Sequence, residues 1–225
     1  MPTAHKRRTS KVAASHDALA EQFDDLRQQH EAASLGMWVF LVTEILFFGG
    51  LFLGYTVYRT TYPEAFREAS HHLDILLGAV NTAVLIGSSL TMALSVHSAQ
   101  EGKRRALVGF LLVTMLLGAV FLGIKGTEYT HKYHEHLVPG LRFEYDAPHA
   151  GQVQLFLALY FVMTGLHAFH LTVGIGLLGV LAVLAWRGRF SPDYYAPIET
   201  SGLYWHFVDL VWIFLFPLLY LIGVH

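Results

Sequence analysis

The sequence contains no cysteine among its 225 residues. Disulfide-stapled scaffolds, zinc sites built on thiolate ligands and enzymes with a cysteine nucleophile all require this residue. These three classes of protein are therefore excluded from the composition alone, whatever pattern the rest of the sequence follows.

Charged side chains are also scarce. Asp, Glu, Lys and Arg make up 14% of the chain, whereas soluble domains usually carry about 25%. Ten of these residues lie within the first 35 positions, so the rest of the chain is poorer still. The formal net charge of -2 offers no basic surface for nucleic acid. With 54% hydrophobic residues, the composition predicts an integral membrane protein.

Five segments hold the roughly 20 mostly apolar residues that a helix needs to cross a bilayer. The sequence does not show the alternation of apolar and polar residues that is typical of an outer-membrane barrel. We therefore expect an all-α bundle of five transmembrane helices, residues 36–225, preceded by a polar cytoplasmic extension, residues 1–35. The five predicted spans are Gly36–Tyr58, Leu73–Val96, Ala106–Ile124, Gln152–Trp186 and Ser201–Val224.

Basic residues set the expected orientation. With the N-terminus in the cytoplasm, ten Lys and Arg residues fall on the inner side and five on the outer side. The positive-inside rule therefore favours a cytoplasmic N-terminus and an outward C-terminus.

In the polar extension, Leu19, Phe23 and Leu26 share one helical face, which favours a short surface helix. The longest predicted loop, residues 126–151, would then lie on the outer side as a solvated cap.

Glu44 is an ionisable residue in the middle of the first predicted span. A carboxylate at that depth costs a few kcal/mol, so it calls for a specific role. Three roles fit: a proton-relay group, a buried acid that hydrogen-bonds within the bundle, or a metal ligand. The sequence leaves all three open.

Two further polar pairs lie inside predicted spans, His167 with His170 and His206 with Asp209. Each pair is spaced i, i+3 and so shares one helix face. Together with Glu128 and Glu199 these residues fit a hydrogen-bonded polar network between helices. A carboxylate–histidine metal site, as in a membrane di-metal oxidase, remains as an alternative. A transporter that uses Glu44 and Asp209 is less favoured, because no inverted repeat is visible.

Several of these residues belong to motifs of a known family. The run Tyr204–Leu215 closely resembles the last-helix signature of subunit III of haem-copper oxidases. Four other stretches resemble that family in the same order along the chain. They are Thr43–Phe48, Asn81–Leu85, Glu128–Tyr129 and Thr164–His170.

The resemblance implies a non-catalytic subunit of a respiratory oxygen reductase that pumps protons. It implies no cofactor in this chain, haem and copper in partner subunits, and bound phospholipid. Its partners would be oxidase subunit I, other respiratory subunits and membrane lipids, in a bacterial-type inner membrane. Such a subunit would support proton uptake and the durability of the enzyme. Glu44 matches the family's buried carboxylate, with a proton-related or a structural role, and no residue is implied to be catalytic. The positions that match polar groups of the bundle interior are Glu128, His167, His170, Glu199, His206 and Asp209.

One departure from the family pattern concerns the lipid site. The long form of the family has seven helices, and its first two make one wall of the lipid-binding cleft. This sequence shows a polar arm in their place, so lipid contacts of those helices are not carried over. Short members accompany cytochrome c oxidases, quinol oxidases and nitric oxide reductases. Cytochrome c oxidase is favoured, with the other two as alternatives.

Overall fold

The computed structural model of the chain describes residues 25–140, 143–145, 149–192 and 194–222. Within these residues the chain forms helices, and the only strand pairing is an isolated bridge between Ser191 and Tyr194. All of the helices except the short α2 are long and apolar enough to cross a membrane. The all-α bundle with five spans is thereby confirmed. The helices are α1 Leu26–Thr61, α2 Pro63–Ser70, α3 Ile75–Gln100, α4 Arg104–His134, α5 Ala150–Trp186 and α6 Ala196–Tyr220.

Helix α1 begins ten residues before the predicted span. Its N-cap is Asp25, whose carboxylate accepts a hydrogen bond from the Gln28 backbone N–H at 2.7 Å. This satisfies one of the N–H groups that the first turn leaves without a partner. The helix then runs without a break past residues 35 and 36. Leu19 and Phe23 of the predicted surface helix lie outside the described residues.

Helix α2 is a short element that the sequence analysis did not predict. Pro63 occupies its first turn, where the missing N–H costs nothing. The helix buries Phe66, whose ring packs edge-on against Phe156 of α5 at 5.3 Å between centroids. The connection between the first two spans is therefore anchored to the bundle.

Helix α4 extends ten residues beyond its predicted end, so the loop predicted for residues 126–151 is helical as far as His134. The extension is helical because one of its faces packs against the bundle. Lys125, Glu128 and Lys132 are spaced i, i+3 and i+7 and are almost completely buried. Three charged residues close together in sequence suggest a solvated loop. Their helical spacing, however, places all three side chains on one face, and that face packs against the bundle.

Helix α6 occupies the centre of the bundle and packs against α1, α3 and α5, while α4 packs against α3 and α5. Trp205 of α6 is fully buried and donates its indole N–H to the Ser88 hydroxyl at 3.0 Å. Its ring fits between two glycines: a Cβ at Gly118 or Gly174 would lie 3.0 or 3.1 Å from it. Small residues thus permit the close helix approach on which a membrane bundle depends.

Candidate functional site

The intramembrane carboxylate Glu44 of α1 faces a histidine of α5. Its Oε2 atom lies 3.2 Å from Nε2 of His170, and both side chains are more than four-fifths buried. The Phe48 ring packs edge-on against the imidazole, and Tyr204 donates its hydroxyl to the His170 carbonyl at 2.8 Å. Because Glu44 and His170 lie on different helices, their contact links α1 to the rest of the bundle.

The backbone contact of His170 fixes its tautomer. Nδ1 lies 2.8 Å from the Leu166 carbonyl oxygen, and a carbonyl only accepts hydrogen bonds, so Nδ1 carries a proton. With Nδ1 held by the backbone, Nε2 is the ring nitrogen that faces the Glu44 carboxyl group inside the membrane.

A second polar cluster ties α4 to α5 and α6. Glu128 accepts hydrogen bonds from Lys125 Nζ at 2.9 Å, Tyr160 at 2.8 Å and Tyr220 at 2.6 Å. Lys125 also donates to the hydroxyl oxygens of both tyrosines. Its ammonium lies 4.8 Å from the Trp212 ring centroid, within cation–π range. Every charged atom of this cluster therefore has a partner, which is the condition for burying an ion pair.

The sequence did not identify Lys125, Tyr160 and Tyr220 as members of this cluster. Lys125 was counted only among the five basic residues expected on the outer side. The signal that identifies it is its i, i+3 spacing from Glu128, which puts both side chains on one face of α4.

His206 and Asp209 lie on α6 facing α3. Nδ1 of His206 is 2.7 Å from the Ser89 hydroxyl oxygen. Asp209 is 3% exposed, and neither of its carboxyl oxygens has hydrogen-bonding geometry to a partner among the described residues. Ser89, His206 and Asp209 border a groove of about 640 Å³ between α1, α3 and α6.

His167 and Glu199 are separate from these clusters. His167 is fully buried between the rings of Phe121 and Trp212, each at 5.3 Å, and both ring nitrogens lack a partner among the described residues. Glu199 lies in the first turn of α6, with its carboxylate 4.0 Å from His30 of α1. It is about two-fifths exposed, so it lies at the end of the bundle and not in its interior.

The predicted polar residues therefore form several local groups instead of one shared network. Glu44 joins His170, Glu128 joins Lys125, and His206 joins Ser89, whereas His167 and Glu199 stand apart. In the part of the chain that the structure describes, no three His, Asp or Glu side chains are placed to hold a metal ion. The di-metal alternative required His167, His170, His206 and Glu128 to converge, and the geometry does not bring them together.

The loop end of the bundle carries a small polar assembly outside the spans. Tyr145 donates its hydroxyl to Glu68 of α2 at 2.5 Å, and this hydrogen bond raises the pKa of Tyr145 to about 12. The His72 ring packs edge-on against Tyr145 at 5.7 Å. Burial, together with the nearby Lys132 ammonium, lowers the pKa of His72 below its usual 6.5. Both groups favour their uncharged forms at neutral pH.

Comparison with known proteins places this arrangement in a family context. The family model described as cytochrome c oxidase subunit III matches residues 24–224. This range includes all five spans and every polar group described above.

Individual relatives carry two kinds of name. Cytochrome c oxidase subunit 3 of Synechocystis is 36% identical over 192 residues, covering 83% of this chain and 74% of the relative. Quinol oxidase subunit 3 of Bacillus spizizenii is 33% identical over 192 residues, covering 84% and 87%. Cytochrome c oxidase subunit 3 of Corynebacterium diphtheriae is 34% identical over 191 residues, covering 84% and 87%.

Proposed function

Because this chain belongs to the cytochrome c oxidase subunit III family, we propose that it is the cofactor-free subunit III of a respiratory haem-copper oxidase. The observation that carries the proposal is the family match across residues 24–224, which takes in all five spans. The complete complex would reduce oxygen to water and move protons across the membrane. Haem and copper would be held by partner subunits, with oxidase subunit I as the main contact.

The role proposed for the bundle is mechanical support of that complex. Its interior is tied together by buried polar contacts between α1 and α5 and between α4, α5 and α6. Its outer faces are strongly apolar: Leu46 and Leu53 of α1 are about two-thirds exposed. Such surfaces suit contact with subunit I, with the acyl chains of phospholipids, or with both.

The Glu44–His170 pair is the proposed link to proton supply. Transfer of a proton between the two side chains leaves the net charge of the pair unchanged, which limits the cost of moving a proton at this depth. The proposed role of the pair is to support proton uptake by the complex.

Cytochrome c is the proposed electron donor, since two of the relatives described above are named as cytochrome c oxidase subunits. Quinol is the second candidate, supported by the Bacillus relative named as a quinol oxidase subunit. We place the chain as a multi-pass protein of a bacterial-type inner membrane, with its N-terminus in the cytoplasm. The distribution of Lys and Arg supports this orientation.

Deletion and restoration of the gene test this proposal. Membranes that lack the chain should still contain assembled haem protein, but their oxygen consumption should decline sooner during sustained turnover. Restoring the chain should restore that durability. If the decline of oxygen consumption and the haem spectrum were both unchanged by the deletion, the proposed role would be wrong. Supplying reduced cytochrome c or quinol in parallel assays distinguishes the two donors.

A further inference from the structure

The groove between α1, α3 and α6 is a candidate ligand site. Its volume, about 640 Å³, lies within the range of small-molecule pockets, about 300–1,000 Å³. Its walls are apolar, with Leu41 from α1, Leu85 from α3 and Leu210 from α6. The polar groups bordering it are Ser89, His206 and Asp209.

The groove lies deep in the membrane. Ser89 is near the middle of α3, and Asp209 is near the middle of α6. The groove extends to both sides of these residues, from Leu85 to Ala93 along α3 and from Leu203 to Ile213 along α6. Its polar groups are therefore near mid-bilayer, where lipid headgroups do not reach.

The length of the groove argues against a partner helix as its occupant. Along α6 it runs from Leu203 to Ile213, which corresponds to about 15 Å of helix. A transmembrane helix that packed along it would need about 30 Å, the full thickness of the hydrocarbon layer. The groove is about half that length, which matches a single lipid-soluble molecule.

The polar groups argue against an ordinary phospholipid tail. An acyl chain that enters from one leaflet would place its terminal methyl group near mid-bilayer, beside His206 and Asp209. His206 is half-buried, and Ser89 is the hydrogen-bond partner that the described residues supply to it. Asp209 has unsatisfied carboxyl oxygens next to the groove. Unpaired polar groups at this depth cost free energy that a hydrogen-bonding ligand would recover.

We propose that this groove binds an uncharged, lipid-soluble molecule that carries a hydroxyl or carbonyl group on an apolar body. The polar group pairs with His206 and approaches Asp209, and the apolar body lies along Leu41, Leu85 and Leu210. The proposal concerns binding alone and includes no electron transfer. It stands independently of the electron donor of the complex.

Photoaffinity labelling of the complex in native membranes tests the proposal. The probe is decylhydroquinone with a photoreactive azide, and labelled peptides are mapped by mass spectrometry. We expect label within residues 85–93 and 203–213, displaced by excess decylhydroquinone but not by decylbenzene, which lacks the hydroxyl groups. His206→Phe should weaken displacement about tenfold, as expected for one lost hydrogen bond.

Two further variants keep the test decisive. Ala93→Phe adds a ring at the exposed rim of the groove and should reduce labelling even if His206→Phe fails to fold. Glu44→Gln is the matched control, because it changes an intramembrane polar residue that does not line the groove. It should leave labelling unchanged.

Three outcomes would overturn the proposal. Label that spreads over exposed apolar faces, such as Leu112 and Phe169, without competition would indicate partition into lipid only. Labelling by a photoreactive phospholipid that decylhydroquinone does not displace would assign the groove to an acyl chain. An unlabelled groove in the intact complex would show that a neighbouring subunit covers it.

Discussion

Glu44 and His170 face each other across the interface between α1 and α5, with 3.2 Å between Oε2 and Nε2. Nδ1 of His170 contacts the Leu166 carbonyl oxygen, so Nε2 is the ring nitrogen that faces the Glu44 carboxyl group. This contact joins the most exposed span to the bundle through two titratable side chains. It is the structural basis for separating a proton role of Glu44 from an architectural one.

Replacing Glu44 with Gln tests that separation. The Gln amide keeps a polar group facing Nε2 but does not titrate. We expect unchanged haem content, a change of no more than about 1 kcal/mol in the free energy of unfolding, and modestly shorter durability of oxygen consumption. Glu44→Leu, which removes both the titratable group and the polar contact, serves as the comparison. Complete loss of assembly in Glu44→Gln would show that the role is architectural.

Replacing Lys125 with Met tests the buried cluster on α4. The change leaves the Glu128 carboxylate charged in a site that is almost fully enclosed. Loss of one partner of a buried pair typically costs about 3–5 kcal/mol. We expect a decrease of that size in the free energy of unfolding, measured by denaturation of the purified chain in mild detergent.

The matched control for Lys125→Met is Lys103→Met. Lys103 pairs with Glu101 at 2.7 Å, but this pair is solvent-exposed between α3 and α4. An exposed pair contributes at most about 1 kcal/mol. Equal effects of the two substitutions would mean that the buried cluster contributes no more than a surface ion pair.

The glycine contact with Trp205 gives a packing prediction. Gly174→Ala places a methyl group 3.1 Å from the indole ring, so the ring or the helix must shift. We expect a loss of about 1–3 kcal/mol in the free energy of unfolding. Gly176→Ala is the control, because nothing lies within 4 Å of a Cβ at that position. A Gly174→Ala variant as stable as Gly176→Ala would contradict the packing described here.

His72 gives a pH prediction at the loop end of the bundle. Its pKa in the folded chain lies below 6.5, so folding favours the neutral ring. The corresponding stability is present above pH 6.5 and is lost as the pH falls through the folded pKa. We expect weaker protection against hydrogen exchange, measured relative to the intrinsic exchange rate at each pH, around residues 71–74 and 143–145 below about pH 6.5. Charges that act on His72 come from Lys132, Glu135, Glu68 and His71.

His72→Phe isolates this effect. Phenylalanine retains an aromatic contact with Tyr145 but does not titrate. Hydrogen exchange in this variant should lose its acid dependence in the same pH range. If the acid dependence persisted at full size, another group would be responsible for it.

The five spans were predictable because bilayer thickness requires long apolar runs, and charged or polar residues interrupt the sequence between those runs. Helix α2 was not predictable in that way, since it is polar along most of its length and is held by the burial of Phe66. The position of the C-terminal end of α4 was missed for a related reason. Lys125 and Lys132 are buried by contacts with other helices, and a hydropathy profile does not predict such contacts.

The site residues show the same division. Sequence identified Glu44, His170, His206 and Asp209 as polar groups at membrane depth, because each is costly there. It placed Glu128 in the loop after the third span and grouped it with the same polar network. It did not identify their partners, since the contacts of Glu44 with His170 and of Glu128 with Tyr160 and Tyr220 join different helices. Helical spacing predicts which residues share a face, but not which face meets another helix.

Affinity purification of this chain from its native membrane in mild detergent shows whether it is a cofactor-free subunit of an oxidase. A reduced-minus-oxidised spectrum and metal analysis are recorded before and after the chain is stripped from its partners. We expect haem and copper to arrive with larger subunits and to remain with those subunits after stripping. Iron retained by the stripped chain, with no haem protein beside it, would rule out this function and favour a membrane di-metal enzyme.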